Sequence, residues 1–148
     1  MVHDRHHDPP TVPLSGTVLY IEDQPTNVAL IEAMLSRHPG IAFRHAGTGT
    51  EGVRMALAER PDFVLLDMHL PDMSGLDVVR QLSTEINERG LRVTILTGDS
   101  LTMDIIKAMS LGAYEYWIKP LRLALFEDGL ARALTGRQPD PARRLNTR

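Results

Sequence analysis

The sequence predicts a doubly wound α/β domain built on a five-stranded parallel β-sheet. Short apolar runs, bounded by glycine, proline or polar residues, alternate along the chain with longer segments that carry apolar residues at helical spacing. Five such strand–helix units follow one another in about 120 residues without internal repeats, which is the pattern of a parallel sheet with helical crossovers.

The first two units are defined by local signals. The strand Thr17–Ile21 precedes a helix that begins near Pro25, a residue favoured in a first helical turn, and that ends before Pro39-Gly40. The second strand, Ile41–Arg44, is short and suits a sheet edge. The second helix, Thr50–Glu59, is expected to face the core with Val53, Ala56 and Leu57.

The last three units follow the same alternation. The third strand, Phe63–Leu66, is apolar throughout and bounded by turn signals, as in a buried central strand. A single helix, Leu76–Glu88, follows it and ends before Gly90. The remaining strands and helices are Val93–Leu96, Thr102–Leu111, Tyr114–Ile118 and Leu123–Leu134.

Composition limits the classes of function. The chain has 148 residues, enough for one domain, and a net charge of −3, which gives no basic footprint for nucleic acid. It has no cysteine, no apolar run of the roughly 20 residues that span a bilayer, and no apolar signal segment in residues 1–15. We expect a cytoplasmic domain over residues 16–135, with a flexible tail at 1–15 and a flexible basic tail at 136–148.

Polar residues follow four of the five predicted strands. Glu22-Asp23 follows the first strand, Asp67 the third, Thr97 the fourth and Lys119 the fifth. Because the carboxyl ends of parallel strands share one edge of the sheet, these side chains are expected to converge there. Three carboxylates in one cleft repel each other unless a cation neutralises them, and oxygen ligands alone favour Mg²⁺.

A phosphoryl group suits the remaining space in such a site. Mg²⁺ typically binds one or two carboxylates together with a phosphate oxygen. Lys119 offers a compact positive charge and Thr97 a hydroxyl for that group, and Asp67 would then be the nucleophile that forms an aspartyl phosphate.

With these motifs the chain resembles the receiver domains of two-component response regulators. The resemblance covers about residues 16–135 and is carried by Glu22-Asp23, by Asp67 with the segment 68–75, by Thr97-Gly98 and by the segment Tyr116-Trp117-Ile118-Lys119-Pro120. It implies a flavodoxin-like (βα)5 fold with strand order 2-1-3-4-5. It also implies Mg²⁺-dependent phosphorylation of Asp67 by a histidine kinase or a histidine phosphotransfer protein, in a signalling domain with only slow self-catalysed chemistry.

The resemblance also implies a role for each site residue. Asp23 and Asp67 are expected to bind the metal with their side chains, Glu22 through water, and His69 with its backbone carbonyl. Thr97 and Tyr116 resemble the two switch residues, and Lys119-Pro120 resembles a peptide bond that is usually cis.

His69 and Asp99 lie at positions that border the water path to the phosphoryl group in this family. We therefore expect these two side chains to set the lifetime of the phosphorylated state. His69 is a departure from the pattern, and it is equally compatible with a tolerated substitution, because the ligand at that position is the carbonyl.

Other classes of protein fit less well. A dinucleotide-binding domain needs a glycine-rich turn after the first strand, where this chain has Glu22-Asp23-Gln24-Pro25. A haloacid-dehalogenase-type phosphatase needs its nucleophile at the end of the first strand with an Asp two residues later, whereas His69 is two residues after Asp67. A receiver-fold adaptor that binds partners without phosphorylation remains an alternative.

The output of the domain is less defined. We expect contacts with an unknown downstream protein, no direct contact with nucleic acid or membrane, and either a monomer or a phosphorylation-dependent dimer. Met1 and the two tails favour a stand-alone single-domain regulator, whereas the run 21–27 is also typical of receivers attached to hybrid sensor kinases.

Overall fold

The structure, a computed structural model, describes residues 13–98 and 100–136, which form five strands and six helices. The strands are β1 Gly16–Ile21, β2 Ile41–Ala46, β3 Phe63–Asp67, β4 Arg92–Thr97 and β5 Glu115–Ile118. The helices are α1 Pro25–Leu35, α2 Gly49–Glu59, α3 Gly75–Gln81, α4 Ser83–Arg89, α5 Met103–Ser110 and α6 Leu123–Leu134. Asp99 and most of the two predicted tails lie outside the described residues.

All five strands are parallel and lie in the order β2-β1-β3-β4-β5, which confirms the predicted fold and places β2 at an edge. Each face of the sheet has its own apolar core. One core lies under α2–α5, and the other lies under α1 and α6. No helix in residues 13–98 and 100–136 is long and apolar enough to cross a bilayer.

Two details of the predicted helices were wrong. The single predicted helix Leu76–Glu88 is divided into α3 and α4, because the backbone at Leu82 leaves helical geometry, with ψ at 9°, and its N–H is shared between two carbonyls. Leu82 and Ile86 both remain buried, so the apolar spacing continues across the break and does not reveal it. Leu57 was expected in the core but is 49% exposed, while Val53 and Ala56 are buried as predicted.

Helix α6 is fixed to the sheet by a close contact and by an ion pair. Gly129 lies against the ring of Trp117, where a Cβ atom on the helix would overlap the indole. Below it, the buried carboxylate of Glu115 accepts two hydrogen bonds from Arg132, at 2.8 and 2.9 Å, and one from the Trp117 indole at 2.9 Å. These contacts hold β5, and hence the segment that leads into Lys119, in a fixed position.

Candidate phosphoryl and metal site

The strand ends place the candidate residues at one edge of the sheet. Asp67 and Thr97 are the last residues of β3 and β4, and Lys119 follows β5 directly. Strand pairing aligns Asp67 with Leu96 on the neighbouring strand, so the edge is level across β3 and β4. Lys119 donates its backbone N–H to the carbonyl of Thr97 at 2.7 Å, and the Lys119-Pro120 peptide bond is cis, as expected.

Three carboxylates form a compact acidic cluster at this edge. One oxygen from each of Glu22, Asp23 and Asp67 lies within 4.8 Å of the others. Glu22 and Asp67 are buried, at 1% and 6% exposure, whereas Asp23 is open to solvent at the mouth of the site. A set of oxygen donors with this spacing, and with one open side, fits a hydrated Mg²⁺ ion.

Lys119 is shared between two of these carboxylates. Its ammonium nitrogen lies 3.2 Å from Asp67 Oδ1 and 3.5 Å from Glu22 Oε1. Burial raises the pKa of the Asp67 carboxyl and the charge of Glu22 raises it further, while Lys119 and the His69 amide oppose both effects. The raised pKa means that Lys119 and the His69 amide do not fully offset the burial of the Asp67 carboxylate and the nearby charge of Glu22.

Glu22 is the most heavily hydrogen-bonded of the three acids. Its Oε1 accepts from the Tyr20 hydroxyl at 2.9 Å and from the Asn27 amide at 3.4 Å, and its Oε2 accepts from the Gln24 backbone N–H at 3.1 Å. The His45 ring lies 2.7 Å from the Glu22 carbonyl oxygen, which ties the end of β1 to the edge strand. Asp23, in contrast, accepts one bond in the described contacts, from the Gln24 side chain at 3.3 Å.

The loop after Asp67 is braced from within. Its backbone is closed by a bridge between His69 and Ser74, and the N–H of His69 donates to Asp67 Oδ2 at 3.0 Å. Gly75 follows, and a side chain there would overlap the backbone of Asp67 and Met68. Glycine therefore permits the close return of the chain against Asp67 and Met68.

Asp72 fastens the same loop to helix α2. Its carboxylate accepts from the backbone N–H groups of Gly49 and Thr50, at 2.8 and 2.9 Å, and from the Thr50 hydroxyl at 2.7 Å. These bonds lower the pKa of Asp72 to about 2. The Asp72 carboxylate therefore stays ionised across the physiological pH range, and its three hydrogen bonds hold the loop against α2. We call this group of hydrogen bonds the Asp72 clasp.

The other predicted site residues have different surroundings. The His69 side chain is exposed and lines a cavity of about 320 Å³ beside the start of α5. Thr97 is 1% exposed, and Tyr116 is 6% exposed and packs in the core under α2–α5. Asp99 lies outside the described residues.

Sequence reasoning missed Tyr20 and Asn27 as supporting residues of the site, whereas Asp72 was expected to shape the loop after Asp67, without its partners on α2. Tyr20 was detectable, because residues two apart on a strand face the same side of a sheet and Tyr20 precedes Glu22 by two. The partners of Asn27 and Asp72 depend on how the loops fold, for which the sequence gives no local signal.

Fold and site together define a flavodoxin-like α/β domain with a cluster of three carboxylates and a lysine at the carboxyl edge of its sheet. A family profile described as the response regulator receiver domain matches residues 18–130. The chain belongs to this family. Response regulator receiver domains are the signalling switches of two-component systems, and Mg²⁺ and phosphoaspartate are features of the family.

Individual relatives agree with this assignment. The chain is 37% identical over 107 residues to the probable transcriptional regulatory protein TcrX of Mycobacterium tuberculosis, covering 72% of this chain and 44% of the relative. It thus spans less than half the length of that protein. It is 33% identical over 104 residues to the protein PilH of Pseudomonas aeruginosa, covering 70% of this chain and 85% of the relative.

A solved structure extends the comparison to the fold. The receiver domain of a sensor histidine kinase from Pseudomonas aeruginosa superposes with a TM-score of 0.72 at 30% sequence identity, covering 81% of this chain and 98% of that domain. That domain carries a magnesium ion coordinated in its active-site cleft.

Proposed function

We propose that the chain is a phosphorylation-activated switch in which Asp67 accepts a phosphoryl group from the phosphohistidine of a histidine kinase or a histidine phosphotransfer protein. The observation that supports the proposal most strongly is the position of Asp67 at the end of β3. Its carboxylate lies 3.2 Å from the Lys119 ammonium and within 4.8 Å of the carboxylates of Glu22 and Asp23. The phosphorylated domain would act through contacts with a downstream protein.

Mg²⁺ would be held by the side chains of Asp23 and Asp67, by the carbonyl of His69 and, through water, by Glu22. The water-mediated role of Glu22 is favoured because its two oxygens already accept four hydrogen bonds in the described contacts. When bound, Mg²⁺ supplies positive charge that offsets the repulsion between the carboxylates and the incoming phosphoryl oxygens.

The residues of the chain then have separate tasks in the transfer. An oxygen of Asp67 attacks phosphorus as the phosphorus–nitrogen bond of the donor breaks, and the imidazole leaves with the bonding electron pair and takes up a proton. Lys119 stays beside Asp67 and contacts a phosphoryl oxygen, and the Thr97 hydroxyl donates to another. Lys119 already lies 3.2 Å from Asp67, so this donor needs little reorganisation when charge develops.

Thr97 and Tyr116 would transmit the change. Both side chains are buried near the end of the sheet, on adjacent strands, where Ile95 pairs with Tyr116 and Thr97 with Ile118. Movement of Thr97 toward the phosphoryl group would open space that the Tyr116 ring can occupy. The two residues then form a two-state element that the new contacts bias.

A small phosphodonor tests the proposal. Incubation with acetyl phosphate and Mg²⁺ should add one phosphoryl group to the intact mass of the chain, and Asp67→Asn should abolish the gain. Lys119→Ala should slow the reaction by about 10²-fold, the effect of removing one oriented donor from a developing oxyanion. No mass gain, with Mg²⁺ binding intact, would leave either strict dependence on a kinase or a phosphorylation-independent adaptor, and an assay with the cognate kinase separates these two.

The comparisons favour two settings for this switch. PilH is covered to 85% of its length, which favours a single-domain regulator with a receiver at 16–135 and tails at 1–15 and 136–148. The likeness to the receiver of a sensor kinase favours a module of a hybrid kinase instead. Proteomic measurement of the mass of the native chain distinguishes these settings, because a hybrid kinase carries the receiver within a much longer polypeptide.

A further inference from the structure

We infer that the Tyr20 hydroxyl is a positioning group: by satisfying Glu22, it keeps the Lys119 ammonium directed at Asp67. The inference rests on the proposed role of Asp67 as the phosphoacceptor. It assigns a task to a residue whose hydroxyl contacts Glu22, the second acid that Lys119 contacts.

The Tyr20 hydroxyl is buried beneath the acidic cluster. The side chain has no exposed surface and packs in the core under α1 and α6, while its ring also lines a cavity of about 340 Å³ that reaches Lys119. Its hydroxyl donates to Glu22 Oε1 at 2.9 Å. The bond joins the buried side chain of Tyr20 on β1 to the buried side chain of Glu22, the residue that follows β1, so water does not readily replace it.

Three donors meet at that one oxygen of Glu22. The Tyr20 hydroxyl is the nearest, and the Asn27 amide and the Lys119 ammonium are farther away, at 3.4 and 3.5 Å. A buried carboxylate without hydrogen-bond donors is unfavourable. If the nearest donor is lost, this oxygen of Glu22 should therefore bind its two remaining donors more closely. Lys119 responds most, because it carries a full charge on a flexible stem, whereas Asn27 is neutral.

Lys119 cannot serve both acids equally. It now lies closer to Asp67, at 3.2 Å, than to Glu22, at 3.5 Å. If Tyr20 loses its hydroxyl, Glu22 should draw the ammonium toward itself and away from Asp67. The phosphoryl group would then arrive at an acceptor whose cationic partner is misplaced, and small displacements of such groups slow a reaction markedly.

The test compares two tyrosines that differ in what their hydroxyls contact. Tyr20→Phe keeps the buried ring and removes only the hydroxyl. Tyr114→Phe does the same at a residue that is 2% exposed in the same core and whose hydroxyl donates to the carbonyl of Arg132, at 3.3 Å. At saturating Mg²⁺, Tyr20→Phe should be phosphorylated by acetyl phosphate about tenfold more slowly, and Tyr114→Phe within twofold of wild type. Equal rates for Tyr20→Phe and wild type would overturn the inference.

A second background shows whether Tyr20 acts through Glu22. In Glu22→Gln the neutral amide no longer attracts the lysine strongly, so adding Tyr20→Phe should slow phosphorylation by less than twofold. A full tenfold slowing in that background would contradict the inference, because it would show that the hydroxyl acts by another route.

A structural measurement separates this inference from the proposed function. In a crystal structure of metal-free Tyr20→Phe, the Lys119 nitrogen should lie nearer to Glu22 than to Asp67. Retention of the contact with Asp67 would overturn the inference. If wild type gains no phosphoryl group either from acetyl phosphate or from its cognate kinase, the proposed function fails, while the position of Lys119 in the crystal structure of Tyr20→Phe still decides what Tyr20 does.

Discussion

Replacing Asp67 by asparagine removes one charge from the acidic cluster and keeps the shape of the side chain. Carboxylate oxygens within 4.8 Å repel by at least about 3.5 kcal/mol at an effective dielectric constant of about 20, and Asp67 has two such neighbours. The attraction between Asp67 and the Lys119 ammonium, 3.2 Å away, stabilises the charge of Asp67 by about 5 kcal/mol at the same dielectric constant. On this scale the charge of Asp67 is therefore unfavourable by about 2 kcal/mol in the metal-free protein. The pKa of its carboxyl is raised in the same direction, first by burial and then by the charge of Glu22.

We expect Asp67→Asn to stabilise the metal-free protein by about 2 kcal/mol at pH 7, or roughly 6–10 °C in Tm for a domain of this size. Because the folded-state pKa is raised, the contribution of Asp67 to stability is fully present below about pH 3.8 and is lost as the pH rises through the folded value. The advantage of the asparagine variant should accordingly shrink in acid.

Urea unfolding in EDTA and in Mg²⁺, followed by the fluorescence of Trp117, measures these effects, since Trp117 is 2% exposed and is the single tryptophan. Mg²⁺ at ten times its dissociation constant should stabilise wild type by about 1.4 kcal/mol and the variant much less. A variant that is less stable than wild type in EDTA, or an equal response of both proteins to Mg²⁺, would refute the electrostatic reasoning.

Three further predictions concern the loop after Asp67, the contact between helix α6 and Trp117, and the hydrogen bonds of Asp72 to helix α2. His69→Ala should change the autodephosphorylation rate several-fold while Mg²⁺ affinity stays nearly constant, because the proposed metal contact of this residue is its backbone carbonyl; equal lifetimes of the phosphorylated proteins would contradict this. Gly129→Ala should lower the free energy of unfolding by about 1–3 kcal/mol, since its methyl group overlaps Trp117, whereas the control Gly47→Ala, which has open space around it, should change it by less than about 0.5 kcal/mol. Asp72→Asn should lower the Tm at pH 7, and the difference from wild type should disappear as the pH falls through about 2. The reason is that Asp72 has a lowered pKa and stabilises the fold only when ionised. A pH-independent difference in thermal scans would contradict a stabilising role for the ionised Asp72 carboxylate.

Much of the fold was predictable because the strands of a parallel sheet have a characteristic sequence pattern. Its strands are buried on both faces and appear as apolar runs, and their ends carry the residues that the edge of the sheet brings together. Asp67, Thr97 and Lys119 each follow such a run directly, so their common edge could be predicted without knowledge of the strand order.

The errors and omissions arise where the three-dimensional context decides. The helix break at Leu82 keeps the apolar spacing intact, and Leu57 lies at the margin of the buried face of α2. The spacing of Tyr20 and Glu22 shows that they face the same side of the sheet, but the sequence does not show that the Glu22 carboxylate is buried and accepts a hydrogen bond from Tyr20. Asp72 binds the start of α2, 22 and 23 residues away, through a contact that depends on the path of the loop.

The identity of the phosphoacceptor is the central claim, and borohydride trapping tests it most directly. Borohydride reduces an aspartyl phosphate to homoserine, which peptide mass spectrometry locates in the sequence. After incubation with acetyl phosphate and Mg²⁺, followed by borohydride, we expect homoserine at position 67 and at no other aspartate. Homoserine at Asp23 or elsewhere, with Asp67 unchanged, would contradict the account.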